Sequence, residues 1–154
     1  MQNVRIRPMI DSDVECKGYV HLKSCLETYE GLMDPEVVAG WTLEVYQAIA
    51  RRFVANTIVA ELDSKIVGFG CWDPAGGISA LYVLQVAQGY GIGRMLMDAL
   101  LEQLAGCGQV RLQVLESNDK AIGFYEHLGF RLTGESEITK YSSQHPALWM
   151  ARTV

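Results

Sequence analysis

Residues 82–97 read YVLQVAQGYGIGRMLM, and this stretch decides the fold. Residues 78–86 are rich in β-branched, aromatic and leucine side chains, which is typical of a buried strand. From Ile92 onward, apolar residues recur at near-helical spacing. Between the two lie glycines at positions 89, 91 and 93, and glycine lets a ligand approach the main chain closely. The pattern therefore predicts a strand, a turn and a helix whose unpaired N–H groups bind a phosphate or pyrophosphate.

Two better-known phosphate-binding loops do not fit this turn. The dinucleotide fingerprint G-x-G-x-x-G needs its third glycine one residue later, and an acidic residue about twenty positions on, where Gln113 stands. A P-loop needs Gly-Lys-Ser/Thr, whereas this chain has Gly93-Arg94-Met95 and no hydroxyl for a magnesium ion. Taken alone, the glycines also fit a plain tight turn without a ligand.

A second segment, NDKAIGFYEHLGF at residues 118–130, follows the turn in the chain. Asn118 is placed to cap a helix, and Gly129 is placed to end it. Tyr125 lies on the apolar face of that helix, so by spacing alone it also fits a core tyrosine. The segment predicts a short helix over residues 120–128 that leads directly into a strand.

In this order, the two segments resemble the GCN5-related N-acetyltransferases. The turn at residues 88–93 is similar to that family's Q/R-x-x-G-x-G/A loop. Residues 118–130 are similar to its N-x-x-A-x-x-F-Y-E-x-L-G-F segment. The resemblance is clear over roughly residues 55–135 and extends over the chain by the order of the predicted elements.

The resemblance implies that acetyl-coenzyme A lies between two strands that splay apart, near residues 78–86 and 109–115. Main-chain groups of residues 81–83 would pair with its acetyl-pantetheine arm, as an added strand does. Main-chain N–H groups of residues 89–94 would hold the pyrophosphate, and Asn118 would contact the arm or shape its groove. The cofactor-binding residues implied are Leu81, Tyr82, Val83, Gln88, Gly89, Tyr90, Gly91, Ile92, Gly93, Arg94 and Asn118.

The implied reaction is direct transfer of an acetyl group from acetyl-coenzyme A, as co-substrate, to a primary amine of a small molecule or peptide. The implied catalytic residue is Tyr125, near the coenzyme sulfur. A phenol titrates near ~10, so Tyr125 is neutral at pH 7 and can protonate the departing thiolate. A main-chain N–H, that of Val83, is the predicted donor to the thioester carbonyl.

The general base is not assigned by the sequence. Some relatives carry a catalytic glutamate where this chain has Gln113, and glutamine cannot take a proton at neutral pH. The other candidate carboxylates are Glu116, Asp73, Glu27 and Glu30, although each also fits a solvated surface carboxylate. The missing glutamate leaves open a coenzyme A-binding regulatory module without turnover. An acidic surface also leaves open acetylation of a protein lysine or N-terminus.

The composition limits the classes of function. The formal net charge is −5, which argues against a nucleic-acid binder. No run of about 18 uncharged apolar residues is present, so no membrane span is expected. The four cysteines form no C-x-x-C and the three histidines are scattered, so neither a metal site nor a disulfide framework is expected. We expect a cytoplasmic protein, with a homodimer as the common default.

The predicted element order is β-α-α-β-β-β-α-β-α-β-β. It indicates one N-acetyltransferase domain over residues 1–154 with an α+β (three-layer α/β) fold. A mixed, mostly antiparallel sheet of about seven strands is flanked by about four helices, and one strand pair is splayed. The first helix is predicted to begin with a capping box at Ser12 and Glu15 and to end near Gly31. Residues 4–7, 55–62, 65–72, 78–86, 109–115, 129–135 and 148–152 are predicted strands, and residues 42–52 and 120–128 are predicted helices.

Overall fold

The computed structural model describes residues 2–139, 142 and 145–154. Within these residues the chain forms one seven-stranded sheet and five α-helices. The strands are β1 (Val4–Pro8), β2 (Thr57–Leu62), β3 (Lys65–Asp73), β4 (Gly77–Val83), β5 (Gln109–Leu115), β6 (Arg131–Glu137) and β7 (Ala147–Thr153). The helices are α1 (Val14–Tyr29), α2 (Pro35–Ala39), α3 (Leu43–Arg52), α4 (Ile92–Gln103) and α5 (Asp119–His127).

The sheet is mixed and mostly antiparallel, as predicted. Its spatial order is β1-β2-β3-β4-β5-β7-β6. Strands β1 to β4 are antiparallel neighbours, and β7 runs antiparallel between β5 and β6. Only β4 and β5 pair in parallel, with α4 as the crossover between them. The α+β fold class predicted from the sequence is confirmed.

Helices cover the sheet on both faces. On one face, α4 buries Leu96 and Leu100 completely, and α5 adds partly buried side chains to the same apolar cluster. On the other face, α1 and α3 bury Val20 and Ala50 against Phe69 of β3. Burial of apolar area on both faces supplies the main stabilisation of the three layers.

The start of α1 differs from the prediction. A 3-10 turn at Asp11–Asp13 precedes the helix, which begins at Val14. The Asp13 carboxylate accepts a hydrogen bond from the Ile10 N–H (2.9 Å) and forms an ion pair with Arg7 (2.7 Å). The predicted capping box at Ser12 is therefore wrong, because the next residue satisfies the helix entry and ties it to β1.

The central strand ends three residues earlier than predicted. Strand β4 stops at Val83, and the chain enters a 3-10 turn at Gln85–Ala87 in which the Ala87 N–H donates to the Leu84 carbonyl (2.9 Å). Val86 is 70% exposed, so an apolar residue read as buried strand lies on the surface of the turn.

Other boundaries also differ. The connector after α1 contains the short helix α2, because Pro35 suits the first position of a helix, and it raises the helix count from about four to five. Strand β6 runs to Glu137, two residues beyond the predicted end. Across the described residues, we find no helix with the length and apolar character that a membrane span requires.

Candidate active site

Among the described residues, β4 pairs with β5 only through its first two residues. Gly77 lies opposite Arg111 and Ile78 opposite Leu112, and the Arg111 N–H donates to the Gly76 carbonyl (2.9 Å). No further pairing joins the two described strands, so they separate and leave a gap along most of β4. The splayed pair predicted from the sequence is present. Its open edges can pair with an extended ligand as an added strand does.

The hydrogen-bond alternation along β4 decides which main-chain groups face the gap. Just past the strand, the Leu84 N–H donates to the Val67 carbonyl of β3 (2.8 Å). Successive residues of a strand point their main-chain groups to opposite edges, so Val83 and Leu81 face the gap. This supports the roles expected of those two residues. The main chain of Tyr82 faces β3 instead, and its expected role in binding the pantetheine arm stays a prediction.

The glycine turn presents unpaired N–H groups at the start of α4. Gly89 and Gly91 have φ values of +92° and +76°, a backbone region that favours glycine. The Met95 N–H donates to the Gly91 carbonyl (3.1 Å). In residues 89–94, by contrast, no main-chain N–H has an acceptor in the described part of the chain. Exposed donors at a helix N-terminus fit a diphosphate, so the residues present suit the pyrophosphate of coenzyme A.

The two sequence segments meet beside this turn. The Asn118 Oδ1 accepts a hydrogen bond from the Ala121 N–H (3.2 Å), so Asn118 caps α5 as predicted. At Gly93, a Cβ atom would lie only 3.1 Å from the Cζ atom of Phe124. Glycine at position 93 therefore allows α4 to start directly against α5. The capping role of Asn118 fits the groove-shaping alternative, and its contact with the pantetheine arm stays a prediction.

Gln88 links the turn to both neighbouring elements. Its Nε2 donates to the Val83 carbonyl (3.2 Å), and its Oε1 accepts from the Lys120 ammonium (2.7 Å). Lys120 thus adds a positive charge close to the predicted pyrophosphate site, where an anion is favoured. The sequence analysis missed Lys120, because its position beside Gln88 depends on how α5 packs against the turn.

Three tyrosines lie near the gap. The hydroxyls of Tyr29 and Tyr82 are hydrogen-bonded (2.9 Å). The ring of Tyr125 packs at 5.9 Å from the ring of buried Phe130, measured between centroids. Burial, together with the nearby Tyr29, raises the pKa of Tyr125 above its ordinary value. Because its pKa is raised, Tyr125 keeps its proton at neutral pH. No described residue hydrogen-bonds to its hydroxyl, so that proton can be donated to a ligand.

The four carboxylates considered as general bases either accept a main-chain hydrogen bond or lie exposed. The Glu27 Oε1 accepts from the Gln85 N–H (3.0 Å), and the Asp73 Oδ1 accepts from the Ala75 N–H (2.9 Å). Glu30 is exposed where α1 ends, and Glu116 is exposed just after β5. All four are outside the cavity between β4 and β5. The structure therefore does not bring these candidate bases to the site.

A cavity of about 500 Å³ lies between β4 and β5. It is lined by Met33, Ser79, Gln113, Val114, Leu115, Glu137, Ile138, Thr139 and Ala147. The Glu137 carboxylate accepts hydrogen bonds from Gln113 Nε2 (3.3 Å) and Trp149 Nε1 (3.2 Å). Glu137 was not among the predicted site residues, because the predicted strand ended at residue 135. The spacing of Glu135 and Glu137, which puts both on one face of a strand, is the signal that could have found it.

A second cavity, of about 470 Å³, has a positively charged wall. Lys17 is completely buried, with its ammonium 3.3 Å from His21 Nδ1 and 4.2 Å from the centre of the Phe69 ring. Loss of solvation lowers the pKa of Lys17 and, with the nearby Lys17 charge, lowers that of His21 to about 3. Burial raises the pKa of Cys71, whose Sγ lies 3.0 Å from Thr57 Oγ1, so Cys71 is a structural thiol.

Comparison with known proteins decides the family. The family model described as acetyltransferase (GNAT) family matches residues 20–130, which is more than half of the chain. The chain belongs to the GNAT family. The membership predicted from the two segments is thus confirmed, and the matched region contains the gap, the glycine turn and α5.

Relatives of this GNAT protein cover it to different extents. It is 35% identical to peptidyl-lysine N-acetyltransferase YjaB of Salmonella typhimurium over 71 residues, 46% of this chain and 47% of that protein. The match thus spans about half the length of YjaB from this species, and likewise from Escherichia coli (48%). Probable N-acetyltransferase Rv2775 of Mycobacterium tuberculosis is 27% identical over 146 residues, 87% of this chain and 83% of that protein.

A solved structure shares the fold over nearly the whole GNAT chain. The PaiA N-acetyltransferase of Thermoplasma acidophilum, solved in complex with coenzyme A, superposes with a TM-score of 0.81. The comparison covers 99% of each chain at 22% sequence identity, which establishes the shared fold.

Proposed function

We propose that this protein is an acetyl-coenzyme A-dependent N-acetyltransferase that moves an acetyl group directly to a primary amine of a small molecule or peptide. The observation that carries the proposal is the combination of the β4–β5 gap with the unpaired N–H groups of residues 89–94. One feature offers an edge for the pantetheine arm and the other a site for the pyrophosphate. Coenzyme A in the PaiA structure and the family membership add support.

The residues at the gap suit the transfer. Acetyl-coenzyme A supplies an acetyl group activated as a thioester when it is bound. The Val83 N–H faces the gap and is placed to donate to the carbonyl oxygen as that oxygen gains negative charge. The Tyr125 hydroxyl holds its proton at neutral pH and delivers it to the departing sulfur. The acceptor ammonium loses one proton to solvent before its nitrogen attacks, and the proton that the nitrogen loses as the amide forms restores the phenol, so one proton is released overall. A cleft that holds both substrates makes the attack effectively intramolecular.

Acetylation of a protein lysine is the alternative acceptor class that one observation favours. The YjaB relatives are named peptidyl-lysine N-acetyltransferases, although their matches cover only about half of this chain. The net charge of −5 attracts basic targets. A lysine side chain is itself a primary amine, so both classes use the same chemistry. A cytoplasmic location, a homodimer and a single catalytic domain over residues 1–154 stay predictions.

The experiment has a binding arm and a turnover arm. Acetyl-coenzyme A is titrated by calorimetry, and thiol release is followed across a panel of small amines, peptides and lysine-rich proteins. We expect submillimolar binding and turnover with at least one amine. Tyr125→Phe removes the proton donor and should lower kcat by about 100-fold with little change in coenzyme affinity. Tyr19→Phe is the matched control, because Tyr19 lies on the exposed side of α1 and is 51% exposed.

Each arm has an outcome that contradicts the proposal. Absence of acetyl-coenzyme A binding at submillimolar concentration contradicts the assignment of the gap and the turn. Binding without thiol release from any acceptor favours the regulatory module without turnover. If Tyr125→Phe and Tyr19→Phe have the same kcat as the unmodified protein, Tyr125 is not the proton donor.

A further inference from the structure

We propose that the cavity between β4 and β5 binds the acceptor as its ammonium ion, with Glu137 as the carboxylate that receives it. This inference rests on the proposed function and names the acceptor class more narrowly: a primary amine that is protonated at pH 7. An alkyl ammonium, with a pKa near ~10 like that of lysine, belongs to this class. It offers three N–H donors to a carboxylate.

The position of Glu137 supports this assignment. The cavity takes Ser79 from β4 and Gln113 from β5, so residues of both strands that border the gap line it. The Gln113 amide donates to Glu137 (3.3 Å), so the negative charge lies one side chain away from Gln113. Glu137 is the acidic residue among the residues that line this cavity.

The charge of Glu137 is available to a ligand. Its two hydrogen-bond donors, Gln113 and Trp149, are neutral, and no cationic side chain among the described residues forms an ion pair with it. Glu135, two residues earlier on β6, is instead paired with Arg111 (2.9 Å). Two oriented donors fix the Glu137 carboxylate, yet its oxygens keep lone pairs for further donors. A fixed carboxylate that no described cation neutralises is the partner that an ammonium ion needs.

The second cavity does not suit the same ligand. Its wall contains Asp73 as well as Lys17 and His21. The Asp73 carboxylate already accepts a hydrogen bond from the Ala75 N–H (2.9 Å), and Lys17 offers an ammonium ion a neighbour of the same sign. Like charges at short range repel more strongly in a buried site than in water. The two cavities both include Ser79, so charge, and not distance from β4, favours the cavity with Glu137.

The test compares two neighbouring glutamates. In the thiol-release assay, Glu137→Gln should raise KM for an alkylamine about threefold to fivefold, the loss expected for a charge pair at an exposed carboxylate. Glu135→Gln is the matched control, since Glu135 lies on the same strand and face but outside the cavity, and it should leave KM within twofold. Acetyl-coenzyme A affinity, measured by calorimetry, should be unchanged in both variants and shows that each is folded.

Two further measurements separate charge recognition from a structural effect. Raising the NaCl concentration from 50 to 300 mM should increase KM for the alkylamine in the unmodified protein and have little effect in Glu137→Gln. If an arylamine, which is neutral at pH 7, is also acetylated, its KM should not respond to Glu137→Gln. Trp149→Phe keeps the carboxylate but removes one of its donors, so it should raise KM less than Glu137→Gln does.

The outcomes distinguish this inference from the proposed function. An unmodified protein that releases no thiol with any amine overturns both. Turnover with equal KM values in Glu137→Gln, Glu135→Gln and the unmodified protein overturns only the role of Glu137. A KM increase that is the same for alkylamine and arylamine, or that is insensitive to salt in the unmodified protein, also overturns it, because the lost contact would not be with a charge.

Discussion

Acid should destabilise this protein through His21. The imidazole lies mostly buried on α1, between the rings of Tyr46 (4.4 Å) and Phe69 (4.8 Å), and its Nδ1 is 3.3 Å from the Lys17 ammonium. Burial and the Lys17 charge both disfavour the imidazolium, and they lower the pKa of His21 from 6.5 to about 3. The folded protein therefore needs His21 neutral, whereas the unfolded chain protonates it readily.

Proton linkage gives the sign and the size of this pH effect on the free energy of unfolding. Between pH 6.5 and pH 3 the unfolded state binds more protons at this site, so the free energy of unfolding falls as the pH is lowered through that window. The contribution of neutral His21 to the free energy of unfolding is fully present above pH 6.5. At pH 5, the difference between the two pKa values corresponds to a loss of about 2 kcal/mol relative to pH 8. A loss of that size is a large fraction of the stability of a small domain.

The assay is urea unfolding followed by circular dichroism at several pH values from 8 to 5, with linear extrapolation. His21→Gln removes the imidazole. Between pH 8 and pH 5, this variant should therefore lose about 2 kcal/mol less of its free energy of unfolding than the unmodified protein does. Other titrating groups cancel when the two curves are subtracted. His127→Gln, at an exposed position on α5, controls for loss of a surface imidazole. Parallel curves for the unmodified protein and His21→Gln would refute the reasoning.

Two other substitutions test the turn and the buried lysine. Gly91→Ala should weaken acetyl-coenzyme A binding about fivefold or more in calorimetry, because φ is +76° there and alanine is strained by about 1 kcal/mol. Gly106→Ala has equally open space for its Cβ and is the control; equal affinities in the two variants would contradict this prediction. Lys17→Met should raise the free energy of unfolding at pH 7 by about 1 kcal/mol or more, because it removes a buried ammonium that no described carboxylate neutralises. Because the pKa of Lys17 is lowered in the folded state, the unmodified protein should gain stability as the pH rises toward 10.5. The advantage of Lys17→Met in urea unfolding should therefore be smaller at pH 9.5 than at pH 7. An advantage of the same size at both pH values would count against this explanation.

Local segments of the chain account for the parts of the site that could be predicted. The turn at residues 88–93 and the helix at residues 118–130 carry their own signals, because turn conformations, helix caps and helix ends depend on a few consecutive residues. The order of elements along the chain followed from the alternation of apolar residues, and the splayed strand pair followed from the family resemblance. Boundaries were less certain: Val86 has the side chain of a strand residue, but the chain had already turned at Gln85.

The sequence by itself determined the family, the glycine turn with its free N–H groups, and Tyr125 on the helix that follows. Only the tertiary structure decided that Glu137 lies beside Gln113, that Lys120 reaches Gln88 and that Lys17 is buried against Phe69. The physical reason is sequence separation. These contacts join residues 24, 32 and 52 positions apart, so they depend on strand register and helix packing, which no local pattern of residues specifies.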